Sequence, residues 1–214
     1  MEGESGPVGH LAAQLEWIRQ LQAIAQNGLT YAKDQYDIER YAAVRRIASE
    51  MAARLSAGSV ETFARLFEDE RGHATPKVDV RGAVIDGDEI LLVRERADNR
   101  WTLPGGWADV GESPSQSVAR EVYEESGYEV RAVRLLALYD RDKHGHTPHP
   151  FHIYKLFFLC ELTGGNAATS SETSEVAFFP EHALPELSVG RVTAAQIARC
   201  FEYYRHPEWP TAFD

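Results

Sequence analysis

Residues 105–130, GGWADVGESPSQSVAREVYEESGYEV, constrain this chain more than any other stretch. Ser113-Pro114-Ser115-Gln116 is a helix start: serine caps, proline suits the first turn, and glutamine completes a capping box. Gly127 is a stop, because glycine adopts the left-handed conformation that closes a helix. The helix therefore runs from Pro114 to Ser126. Val118 and Val122, four residues apart, face the core with Ala119 beside them. Glu121, Glu124 and Glu125 stand at i, i+3 and i+4, which puts all three on one surface.

That arrangement works against the helix. Each like-charged pair at this spacing costs roughly 0.2–0.5 kcal/mol, and anions are disfavoured near a helix C-terminus. Glutamates on a helix usually make only a solvated acidic face. Here three carboxylates converge, and oxygen ligands are what a hard divalent cation takes, usually with several waters retained. Such a cation also neutralises phosphate oxygens and activates water.

The rest of the chain divides in two. Residues 10–70 read as helices. Leu11, Leu15, Ile18, Leu21 and Ala25 recur at helical spacing, with Asn27-Gly28 as a stop. Asp37 is the expected cap of a second helix, whose apolar face is Tyr41, Val44, Ile47, Met51 and Leu55. Ser59 caps a third, with Phe63, Leu66 and Phe67 apolar. Residues 71–77, RGHATPK, form a linker. Strands are then expected at Val78–Ile85, Glu89–Arg94, Val130–Tyr139, Phe151–Leu162 and Val176–Phe179, and a closing helix at Thr193–Tyr204. The domains are residues 1–72, all-α, and 73–214, α/β.

The net charge is −11. An acidic surface repels nucleic-acid phosphates. Within residues 1–76, Arg45-Arg46 is a basic pair of the kind that contacts nucleic acid, but eight Lys/Arg stand against eleven Asp/Glu there, a poor footprint for DNA. Stable nucleic-acid binding is not expected. No apolar run approaches a membrane span, and MEGESGPVGHLAAQ lacks the basic region and apolar core of a signal peptide. Cys160 and Cys200 form no metal or disulfide pattern and read as core. A reduced, cytoplasmic setting fits.

Gly106, five residues, Glu112, seven residues, Arg120-Glu121-Val122, one residue, Glu124-Glu125, one residue, Gly127-Tyr128 resembles the Nudix box. Tyr128 departs from the smaller aliphatic usual at the last position. The resemblance implies a Nudix α/β/α sandwich with a mixed sheet, and hydrolysis of a nucleoside diphosphate linked to another group, X. It implies that Glu121, Glu124 and Glu125 hold Mg²⁺, with Mn²⁺ a possible substitute, and that the backbone carbonyl of Gly106 or Gly105 joins them. It implies that Arg120 and Glu112 are a structural pair fixing the loop–helix–loop, a role suited to the planar guanidinium fork.

WIRQLQAIAQNGLTYAKDQYDIERYAAVRRIASEM resembles the helical extension of CDP-choline pyrophosphatase and its relatives, as do TLPGGWADVGESPSQSVAREVYEESGYEV and LYDRDKHGHTPHPFHIYKLFFLCEL. In those enzymes such extensions help form a homodimer and shape the pocket. This favours CDP-choline, cleaved to CMP and phosphocholine, with ADP-ribose as the alternative. ADP-ribose members often carry a proline about fifteen residues past the box; Lys143 stands there, and Pro148 and Pro150 come later. RNA-end hydrolysis and a non-catalytic nucleotide sensor are further alternatives, though sensors usually lose box glutamates and this chain keeps them.

The general base stays open. Family members use either a box glutamate, matching Glu121 or Glu124, or one from a downstream loop. SSETSE, 170–175, is such a loop, with Glu172 and Glu175 as candidates, each also readable as part of a polar turn. The histidines of RDKHGHTPHPFH match no zinc pattern. His144, His146 and His149 are read as substrate contacts, with a solvated loop the alternative. Arg81 is a further substrate candidate, since arginine recognises phosphate; a merely structural arginine is the competing reading. Trp101 is read as core.

Overall fold

The computed structural model describes residues 7–56 and 58–214. Three helices come first: α1 (Pro7–Tyr31), α2 (Gln35–Leu55) and α3 (Val60–Asp69). The remaining chain follows as β1 (Lys77–Asp86), β2 (Glu89–Glu95), β3 (Trp101–Thr102), α4 (Pro114–Ser126), β4 (Tyr128–Asp140), β5 (Ile153–Gly165), β6 (Thr173–Pro180), α5 (Ala194–Arg205) and β7 (Ala212–Phe213). Two compact units result. One is the described chain up to Pro76 together with Pro148–His152; the other is Lys77–Thr147 with Ile153–Asp214.

The helical unit corrects three expectations. Asn27-Gly28 does not stop α1, which continues to Tyr31. A Cβ on Gly28 would meet the Tyr41 ring at 2.3 Å. Glycine is there to let α2 approach, and the helix absorbs its modest propensity cost of about 1 kcal/mol. Asp34, not Asp37, caps α2, accepting from the Tyr36 and Asp37 N–H groups at 3.0 and 3.3 Å. The expected apolar face of α2 also turns out differently. Small residues, Ala48, Ser49 and Ala52, are the buried ones, and Ile47 is exposed. Ile18, Ala48, Ala52 and Phe67 form the core of this unit, with Met51 and Leu55 packed on it. Ser59 caps α3 as expected. Arg19 donates to the carbonyl of His149, which ties the 148–152 segment to α1.

In the second unit the sheet is mixed, in the order β3-β2-β1-β5-β4-β7, with β6 also on β2. The central β1–β5 pair is parallel, and β4–β5 and β2–β6 are antiparallel. Strand alternation splits the core into two layers. Val80 and Val84 of β1 face Val118 and Val122 of α4. Ala83 of β1 and Phe157 of β5 face Ile197, Cys200 and Phe201 of α5. This is the expected α/β/α sandwich. Trp101 packs edge-on against Phe179 at 4.7 Å, beside the α5-side core.

Candidate active site

α4 occupies the span its caps predict. Ser113 and Gln116 form the capping box, and Gly127 closes the helix at φ 76°. The helix lies close on β1 because Gly82 has no side chain: a Cβ there would meet Val122 Cγ2 at 2.5 Å. At its far end Thr173 Oγ1 donates to Glu125 O at 2.7 Å, tying α4 to the start of β6.

The loop before α4 is clamped to β1 by backbone. Val80 N–H donates to Gly106 O at 2.8 Å, Gly82 N–H to Pro104 O at 2.9 Å, and Ala108 N–H to Val78 O at 3.0 Å. Gly105 sits at φ 139°, where a Cβ would meet Val80 O at 2.1 Å. Only glycine fits such a close approach.

The acids meet this loop. Glu125 is buried, and its Oε2 accepts from Gly105 N–H at 2.9 Å. Burial pushes its carboxyl up to about 8, with Glu95 and Glu121 adding repulsion against the opposing pull of Arg81. Glu121 is half-buried, and burial raises its pKa as well. Its Oε2 lies 2.9 Å from where a Cβ on Gly106 would stand. The Gly106 carbonyl uses one lone pair on Val80 and keeps the second. Glu124 is the exposed member, with its Oε2 2.8 Å from Arg120 Nη1.

Arg120 is the hub of the acidic surface. Its Nε lies 3.0 and 3.1 Å from the two oxygens of Glu112, Nη1 lies 2.9 Å from Glu121, and Nη2 lies 3.1 Å from Asp109. The pairing with Glu112 uses the guanidinium edge, and the same cation also reaches two helix glutamates. Among the described residues, no three His, Cys, Asp or Glu side chains close into a ready metal cage. The donor chemistry nonetheless fits a hard cation. Glu121 and Glu125 are crowded oxygen donors whose charged forms burial disfavours, beside a carbonyl with a lone pair to give.

The other sequence candidates are placed as follows. Glu175 is ion-paired with Arg94 at 2.5 Å. Glu172 follows the Ser170 turn, and its charge helps to raise the pKa of the buried Glu95, after burial itself. Arg81 is buried, with Nε and Nη2 on Asp79 at 3.0 and 2.8 Å and Nη1 on Leu103 O at 3.0 Å. His144 stacks on Tyr139 at 3.9 Å and holds Asp214 at 2.9 Å. His146 is bonded to Val189 O at 2.7 Å and to Gln196 Nε2 at 2.9 Å. His149 lies in the helical unit, with its ring beside Phe151. His144 and His146 belong to the sandwich unit and His149 to the helical one.

Sequence reasoning missed Asp79, Glu95 and Lys155, all buried. Their signal was a charged residue at an inward position of an otherwise apolar strand, as in KVDVRGAVID, EILLVRE and IYKLFFLCELTGG.

The same organisation is found in known proteins. The family described as NUDIX domain matches residues 75–199, and the one described as UDP-X-like, N-terminal oligomerisation domain matches residues 13–67. The chain belongs to the Nudix family and is a Nudix hydrolase. It is 45% identical over 207 residues to a Bacillus subtilis (strain 168) protein named "Putative ADP-ribose pyrophosphatase YjhB", covering 95% of this chain and 100% of that one. A solved ADP-ribose pyrophosphatase from Streptococcus suis 89-1591 is 44% identical with a TM-score of 0.61, covering 65% of this chain and 100% of that one. A solved UDP-X diphosphatase is 31% identical with a TM-score of 0.62, covering 95% and 99%.

Proposed function

We propose that this protein is a Mg²⁺-dependent hydrolase of the pyrophosphate bond in a nucleoside diphosphate linked to X, with ADP-ribose the leading substrate. The observation that supports the chemistry is the seating of Glu121 and Glu125 against the Gly105–Gly106 loop. The substrate choice rests on the names borne by the relatives at 45% and 44% identity. CDP-choline, favoured by the likeness of the N-terminal helices, is the second reading; the model matching those helices is described as UDP-X-like.

Glu121, Glu124 and Glu125, with the Gly106 carbonyl, would hold Mg²⁺ or Mn²⁺. A bound divalent ion supplies charge for phosphoryl oxygens and makes water more acidic. Arg120 steers the helix carboxylates and, through Glu112, fixes the loop before α4. Glu172 is the proposed general base: it stands next to Thr173, which is tied to α4, whereas Glu175 is engaged by Arg94. A base must reach its water before its pKa matters.

The helical unit is proposed to join a second copy of the chain. Trp17, Ile24 and Tyr31 recur every seven residues along α1 and are 53%, 55% and 64% exposed. A large apolar stripe at that period is a helix-pairing seam.

The deciding experiment compares kcat/KM at fixed Mg²⁺ for ADP-ribose, CDP-choline, UDP-sugars and short capped RNA, with a chelated control and Glu124→Gln as blanks. Preference for ADP-ribose supports the reading. Preference for CDP-choline keeps the chemistry and changes X. Turnover that survives chelation, or none on any substrate, overturns it.

A further inference from the structure

Three buried charges on the α5 side of the sheet, Lys155, Asp79 and Arg81, play no part in the chemistry above, yet they connect to it bond by bond. Lys155 of β5 stands in register with Asp79 of β1, and its Nζ lies 2.5 Å from Asp79 Oδ1. Asp79 holds Arg81 through both its oxygens, at 3.0 and 2.8 Å. Arg81 Nη1 reaches Leu103 O at 3.0 Å. Two residues on, Gly105 N–H holds Glu125 Oε2 at 2.9 Å.

Arg81 has a second relation to Glu125. The guanidinium is the largest influence lowering the Glu125 pKa against burial, and it also acts on Glu95. Its hydrogen bonds nevertheless go to Asp79 and Leu103, not to either glutamate. A buried guanidinium takes the best bidentate carboxylate it can reach. Asp79 is that carboxylate: Arg81 and Lys155 overcome burial and hold its pKa down to about 2.

We propose that Asp79 is a positioning residue for the metal site: it fixes Arg81 in the orientation that pins the Leu103–Gly106 loop and keeps the guanidinium from closing on Glu125. Without it, Arg81 turns toward Glu125 and occupies a carboxylate that a cation needs. Lys155 has a different part. It is the second cation on Asp79, after Arg81, and it contributes nothing to the aim of Arg81. This inference rests on the metal-binding reading of the glutamates.

The test is calorimetric titration of metal-free protein with Mn²⁺ alone, alongside thermal melting. Wild type binds. Asp79→Asn is expected to weaken Mn²⁺ at least tenfold, within the range seen when supporting residues of metal ligands are changed, and to lower Tm. Asp79→Asn/Lys155→Met removes one charge of each sign. It should recover much of the Tm but none of the Mn²⁺ affinity, because the amide offers Arg81 one neutral oxygen in place of the two carboxylate oxygens it holds. Turnover of the double variant should show a raised Mg²⁺ requirement with KM for the nucleotide within about twofold.

Wild-type Mn²⁺ affinity in either variant overturns the proposal, and recovery in the double variant alone would show that net charge, not aim, was the cause. Failure of wild type to bind Mn²⁺ would overturn the metal reading along with it. If Asp79→Asn does not fold, the double variant carries the comparison.

Discussion

The two units use glycine alike, for close approach, and charge differently. In the helical unit Gly28 lets two helices approach, and the ion pairs, such as Arg40–Asp37 and Arg46–Glu50, lie on exposed helix faces. Exposed pairs of this kind contribute little, about 0–1 kcal/mol. In the catalytic unit Gly82, Gly105 and Gly106 bring a helix, a loop and a carboxylate onto one strand, and Asp79, Arg81, Glu95, Glu125 and Lys155 are buried. One unit is an assembly of faces with apolar surface left over. The other stores unfavourable electrostatics where a cation and a phosphate would relieve them.

The sharpest break in that contrast should come from Glu125→Gln. Turnover is expected to fall about a hundredfold or more, while Tm holds or rises, because a buried carboxyl with pKa about 8 is replaced by a neutral isostere. Kinetics and melting on one preparation decide it; a lowered Tm with intact kcat would make Glu125 structural. Arg120→Ala should lose both activity and stability, the latter by about 2–4 kcal/mol, since it leaves Glu112, Glu121, Glu124 and Asp109 facing one another. Arg120→Lys should rescue little, because a point charge cannot replace the fork. Denaturant unfolding measures this.

In the helical unit, Trp17→Glu/Ile24→Glu should turn an oligomer into a monomer by light scattering without lowering the helix content. Gly28→Ala should cost about 1 kcal/mol net, the clash with Tyr41 outweighing the propensity gain. A stabilised Gly28→Ala would show that Tyr41 can move.

The smallest effect concerns pH. Burial, opposed by the bond to Val189, lowers the His146 pKa from 6.5 to about 4. The unfolded chain therefore takes up the proton first, so His146 erodes stability as pH falls from 6.5 toward 4 and has no effect above that window. His146→Gln should flatten the slope of Tm against pH in that interval.

Local signals made much of this readable in advance. Ser113, Gln116 and Gly127 define α4 within their own few residues, so its span followed from sequence, and apolar runs placed β1, β2, β4, β5 and β6 to within a few residues. What failed depended on distant partners. Gly28 has its meaning only against Tyr41. The parallel β1–β5 pairing, which sets Lys155 beside Asp79, joins residues 76 positions apart, and nothing in either strand announces it. The candidate site was readable as a helical face of acids beside two glycines. The bonds that hold it, from Arg81 to Leu103 and from Gly105 to Glu125, were not.

The short segment Pro148–His152 belongs with the helices though it lies far along the chain from them. The polypeptide therefore enters the helical unit twice, and no single cut separates the two. Cleavage after Pro76 would strip away α1 and leave five residues behind, with the His149 carbonyl deprived of Arg19 and Phe151 without the unit it packs in. A shortened chain beginning at β1 would still carry Pro148–His152 without the helices it belongs with, so sticky behaviour in such a fragment would report that remnant and not the stability of the sandwich.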